Sequence, residues 1–211
     1  GIEEIVDYYA TIIGELDRPP IIMGHSFGGA FTQILLDRGL GTAGVAIDSG
    51  PVKGLLALPA STLKTGFPVL KNPANNHRAV ALTLEEFHYA FTNTLSEEES
   101  LRVYERYAVP GPGRVLFQGA FANFNPHSPA AVDFKNGSRA PLLFIAGGED
   151  HVAPASLNQA NLEHYRKSDA ITELKEFPGR SHYTLGQAGW EEVADYALDW
   201  SLTHAAQAGV V

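Results

Sequence analysis

The sequence predicts an α/β fold, a parallel sheet with helices on both faces. Three observations carry this. Short apolar runs alternate with segments of helical apolar spacing at both ends of the chain. The runs "PPIIM", "AGVAID" and "PLLFIAG" are apolar almost throughout, as strands buried on both faces are. With 45% hydrophobic and 18% charged residues over 211 positions, the chain can bury one sizeable core.

Taken in order, Ile2, Ile5, Val6, Tyr9, Ile13 and Leu16 recur at helical spacing, "PPIIM" comes next as a strand, the stretch from Phe27 as a helix and "AGVAID" as a second strand. The character then changes. Between about 51 and 140, "STLKTGFP", "KNPANN", "VPGPG" and "NFNPHSP" read as breaker clusters around short helices. Thr83 with Glu86 and Ser96 with Glu99 fit capping boxes that start two of them. From Pro141 the alternation resumes, with "PLLFIAG" a strand, Leu157 to Arg166 a helix, "ITELKEF" a strand and Trp190 to His204 a closing amphipathic helix. The expected division is therefore 1–50, 51–140 and 141–211, the outer parts forming one core and the middle part inserted into it.

Composition excludes several function classes. A net charge of −9 with scattered basic residues gives no electrostatic footprint for nucleic acid or an anionic membrane. No apolar run approaches the roughly 18 residues of a membrane span, and no signal-peptide pattern opens the chain, so a cytoplasmic location is expected. The absence of cysteine removes disulfides and thiol chemistry. His77, His88, His127, His151, His164 and His204 have no spacing that resembles a metal site, so no metal is expected.

In Gly24-His25-Ser26-Phe27-Gly28 a serine stands between a strand and a helix. A turn this sharp requires residues of little bulk two places to either side, and both are glycine. The geometry lifts the hydroxyl clear of the sheet and aims the first amides of the following helix at one point where an oxyanion would be stabilised. A serine nucleophile needs a base, and the base an orienting carboxylate. Two downstream loops after strands supply candidates: Gly148-Glu149-Asp150-His151-Val152-Ala153-Pro154 and Phe177-Pro178-Gly179-Arg180-Ser181-His182-Tyr183.

With "GHSFGG", "GGEDHVAP" and "PGRSHYTLG" in this order, the chain resembles an α/β-hydrolase over essentially its whole length. The resemblance implies Ser26 as nucleophile, Asp150 as acid, His182 as base and the Phe27 amide as one oxyanion donor. Glu149 and Asp48 are alternative acids, the former disfavoured by its distance from Pro154, the latter occupying a position from which some relatives take their acid. The middle segment is similar to a helical cap; Phe87, Phe91 and Phe121 within it are candidate pocket residues, with ordinary cap packing the alternative, and His25 beside the nucleophile is a further one. The resemblance thus leads us to expect a serine hydrolase of a small to medium carboxylic ester, without cofactor. The alternatives are a non-catalytic ligand-binding module of the same fold and an inactive fragment. The resemblance also implies strands ahead of the first helix that this sequence does not contain, which would leave "PPIIM" as an exposed edge open to self-association.

Overall fold

The computed structural model describes residues 1–56 and 58–207. Its elements run α1 (Ile2–Gly14), β1 (Ile21–His25), α2 (Phe27–Asp37), β2 (Ala43–Ile47), α3 (Ala60–Leu70), β3 (Ala79–Val80), α4 (Leu84–Phe91), α5 (Glu97–Tyr107), β4 (Gly111–Pro112), α6 (Gly113–Ala120), β5 (Leu142–Gly147), α7 (Ala155–Tyr165), β6 (Thr172–Phe177) and α8 (Trp190–Gln207). Strands β1, β2, β5 and β6 form one parallel sheet in that order, and β3 pairs with β4 in a short antiparallel ladder.

Alternation along β2 and β5 explains why both are apolar throughout. Ala43, Val45, Ile47, Leu143 and Ile145 face α8, where Val193, Ala197 and Trp200 cover them. Ala46, Leu142 and Phe144 face the other way, against Leu36 of α2 and Tyr165 of α7. Each of the buried Val, Leu, Ile and Phe side chains contributes about 1.5–3 kcal/mol through burial. Helix α1 packs on α2 through Ile2 and Val6. Tyr9 and Leu16, which its periodicity also marks, are exposed.

Strand β1 has a single neighbour among the described residues. Thr42 N–H donates to the Pro20 carbonyl and Ser26 N–H to the Ile47 carbonyl, so the even-numbered residues of β1 pair with β2. The backbone groups of Ile21, Met23 and His25 therefore face the open side. No helix among the described residues is long and apolar enough to cross a membrane.

Both predicted capping boxes form. Thr83 Oγ1 accepts from Glu86 N–H at 3.2 Å and Ser96 Oγ from Glu99 N–H at 3.3 Å, with each glutamate returning a bond to the cap backbone. One breaker reading is corrected, because "STLKTGFP" lies inside α3. Pro68 lies within it and removes one helical bond, and the helix ends two residues later at Leu70.

Candidate active site

Ser26 joins β1 to α2 at φ 57, a conformation that a side-chain-bearing residue adopts only when its surroundings enforce it. Those surroundings are visible. The Ser26 carbonyl accepts from Gly29 and Gly50 N–H at 2.9 Å each, and its own N–H is held by Ile47. A Cβ on Gly24 would lie 2.1 Å from the Gly28 carbonyl oxygen, so Gly24 must lack one. At Gly28 the expectation fails, since a Cβ there would meet nothing within 4 Å. The second obligatory glycine is Gly29, where a Cβ would come within 2.9 Å of Ser49. The Phe27 amide, first in α2, has no acceptor among the described residues and sits beside Gly50, at the positive end of the helix dipole.

Asp150 and His182 meet although their loops follow different strands. The His182 Nδ1–H donates to Asp150 Oδ2 at 2.7 Å, and both side chains are completely buried. Asp150 Oδ1 accepts from the amides of Val152 and Ala153 at 2.6 and 3.0 Å, which fixes the carboxylate plane. Burial alone would lower the imidazole pKa. The charge and hydrogen bond of Asp150, with Asp48 adding to them, outweigh it and hold His182 above the ordinary histidine range. With Nδ1 committed to Asp150, the buried Nε2 is the free, basic nitrogen and has no hydrogen-bond partner among the described residues. Glu149 does not take the position of the acid. Its amide donates to the Arg180 carbonyl, and its own carbonyl accepts from Asn93 Nδ2 at 2.9 Å.

His25 packs on this pair. Its ring lies 4.5 Å from the His182 ring, and its Nε2–H donates to the His182 carbonyl at 2.8 Å. Desolvation, then the neighbouring His182, push its pKa down to about 3, which keeps it neutral. Asp48, at the end of β2, is wholly buried with φ 44, and its Oδ2 lies 3.7 Å from His25 Nε2. Burial first, then the Asp150 charge, raise its pKa to about 7. His25, Asp48 and His182 bring one ligand-type atom each within 4.8 Å of one another, a convergence no sequence spacing announces. His25 Nε2 is engaged by the His182 carbonyl and His182 Nδ1 by Asp150.

The aromatic candidates divide. Phe91, at the end of α4, sets its ring edge-on to His182 at 5.1 Å, and its carbonyl accepts from Tyr183 N–H at 2.9 Å. Phe87 is buried between Phe91 and Tyr104. Phe121 is half exposed and groups with Phe117 and Phe124.

No curated protein sequence matches the chain significantly. Among solved structures, the chain is similar to a monoacylglycerol lipase from Paleococcus ferrophilus, with a TM-score of 0.63 at 19% identity, over 96% of this chain and 76% of that one. A thermophilic esterase superposes with a TM-score of 0.58 at 20% identity, over 100% and 75% of the two chains. A bromoperoxidase from Bacillus anthracis does so with a TM-score of 0.63 at 16% identity, over 96% and 74%. At these identities the likeness is one of fold. A sequence profile of the alpha/beta hydrolase family matches residues 1–196, and with the four parallel strands and the strained serine turn this shows that the chain belongs to that family.

Proposed function

We propose that the chain is a serine hydrolase that cleaves a small to medium carboxylic ester through an acyl-enzyme, with Ser26 as nucleophile, His182 as base and Asp150 as acid. The observation that carries this reading is the buried Asp150–His182 pair, which leaves Nε2 free and basic in a chain whose Ser26 stands in a strained strand-to-helix turn. Esterase and lipase among the structural neighbours support the same chemical class.

In the proposed reaction Ser26 Oγ attacks the ester carbonyl carbon while its proton passes to His182 Nε2. The oxyanion is met by the Phe27 amide. Asp150 holds the imidazolium, which then protonates the departing alkoxide as the carbon–oxygen bond breaks. Water, deprotonated by the same Nε2, attacks the acyl-enzyme; the acid leaves and Ser26 recovers its proton. The helices between β2 and β5 act in this reading as a cap, and Phe91 borders the reacting centre. Nε2 makes no hydrogen bond to Ser26; such bonds tighten when substrate binds.

A fluorophosphonate probe followed by peptide mass spectrometry tests the reading. The adduct is expected on Ser26 and is to vanish in Ser26→Ala; labelling at another serine would refute it.

A further inference from the structure

The β2–β5 backbone ladder stops one step early. Asp48 N–H donates to the Ile145 carbonyl at 2.8 Å, and a continuing parallel ladder would send Gly147 N–H to the Asp48 carbonyl. The backbone instead turns away at Asp48, at φ 44. Gly147 N–H is taken by Asp48 Oδ1 at 2.6 Å, both groups being fully buried. The side chain thus continues the ladder that its own main chain abandons.

Gly147 is a sensitive place for such a bond. Its carbonyl accepts from Asp150 N–H at 3.3 Å, so it opens the turn that carries Asp150. A Cβ on Gly147 would fall 2.6 Å from the Arg180 carbonyl oxygen and 3.1 Å from that of Ser181, the two residues preceding His182. Moving Gly147 therefore moves both members of the buried pair. Asp48 is not itself the partner of His182, whose Nδ1 is held by Asp150.

We propose that Asp48 is a positioning residue for the hydrolysis: its side chain replaces a missing backbone acceptor at Gly147 and so fixes the Asp150 turn and the His182 segment relative to the serine elbow. This rests on the roles proposed for Asp150 and His182. The part played is that of an acceptor rather than a charge. The groups facing Asp48 are Asp150, His182, His25, Thr184 and the Gly147 amide; burial and the Asp150 charge favour the protonated carboxyl, which still accepts through its carbonyl oxygen. An asparagine amide offers the same acceptor and tolerates φ 44, whereas glycine tolerates φ 44 and offers none.

The test compares Asp48→Asn with Asp48→Gly on p-nitrophenyl butyrate, alongside the low-field imidazole proton resonance of His182. Asp48→Asn is expected to keep kcat close to the parent's and to keep the resonance. Asp48→Gly is expected to lose about 10²-fold in kcat at unchanged KM, the cost of a misplaced catalytic group, and to broaden or lose the resonance. Equal losses in the two variants would show that charge matters instead. Full turnover and an intact resonance in Asp48→Gly would show that the clamp is idle. Should Asp48→Gly not fold, the Gly147 amide in the parent and in Asp48→Asn decides: slow hydrogen exchange in both supports the clamp, and exchange at an unprotected rate overturns it. Absence of ester turnover in the parent would sink the hydrolase reading, while the resonance and the amide exchange would still judge the clamp.

Discussion

Asp150 Oδ2 and His182 Nδ1 stand 2.7 Å apart in the buried interior, joining two loops that lie 32 positions apart in the sequence. The raised pKa of His182 fixes the sign of the pH dependence. In its proposed role as base His182 must be neutral, so kcat/KM is expected to rise with pH through a value above the ordinary histidine pKa of about 6.5. In Asp150→Asn the limb moves to lower pH and turnover drops by about 10³–10⁴-fold. A pH–rate profile of both proteins checks this; an unmoved limb would remove Asp150 from the role of acid.

Strain at Ser26 separates stability from activity. Its φ of 57 suits glycine, so Ser26→Gly is expected to abolish turnover while relieving about 1–3 kcal/mol of strain. Calorimetry should then show a higher Tm, by about 2–4 °C per kcal/mol for a chain of this size. A lower Tm would mean that the turn is not strained.

Two elbow glycines that look alike in the sequence should behave differently. Gly24→Ala drives a methyl group to 2.1 Å from the Gly28 carbonyl and is expected to cost several kcal/mol or prevent folding. Gly28→Ala meets open space and should change the urea midpoint little. Equal midpoints for the two variants would contradict this packing.

Asp48 makes stability depend on pH in a defined direction. Its folded pKa of about 7 lies above the unfolded value, so the native state binds the extra proton and loses stability as pH rises from about 4 to 7. Asp48→Asn, which cannot ionise, should melt above the parent at pH 8 and together with it near pH 4. A difference in melting temperature that does not change with pH would exclude this ionisation.

Among the aromatics, Phe91→Ala should alter kcat as well as acyl-chain preference, because its ring touches His182. The half-exposed Phe121 should alter preference alone, and Phe87, buried within the helical segment, should alter stability most. A series of p-nitrophenyl esters resolves the three; identical profiles across all of them would make these side chains packing only.

The loops that carry Ser26, Asp150 and His182 could be picked out in the sequence because each follows a run that reads as a strand, and the carboxyl ends of parallel strands share one edge of the sheet; Asp150 and His182 do meet there. The cap boxes were legible because three-residue spacing is local. Residues brought together by the ladder were not. Nothing near Asp48 in the chain points to Gly147, and nothing near Gly29 points to Ser49, since those contacts depend on strand register and on how α2 lies over β2. The proline in α3 misled for the opposite reason: a breaker marks the neighbourhood of a helix end, and here the helix precedes Pro68 and stops only at Leu70.

The closeness of Gly147 to the Arg180 and Ser181 carbonyls has a mechanical consequence. The turn of Asp150 and the segment of His182 pack against each other there, so a displacement of one is a displacement of both as a single unit. Its handle is the end of α4, where the Tyr89 and Phe91 carbonyls and Asn93 grip His151, Tyr183 and Glu149 respectively. Displacing the end of α4 would therefore carry the loops of Asp150 and His182 with it, although neither residue belongs to that helix.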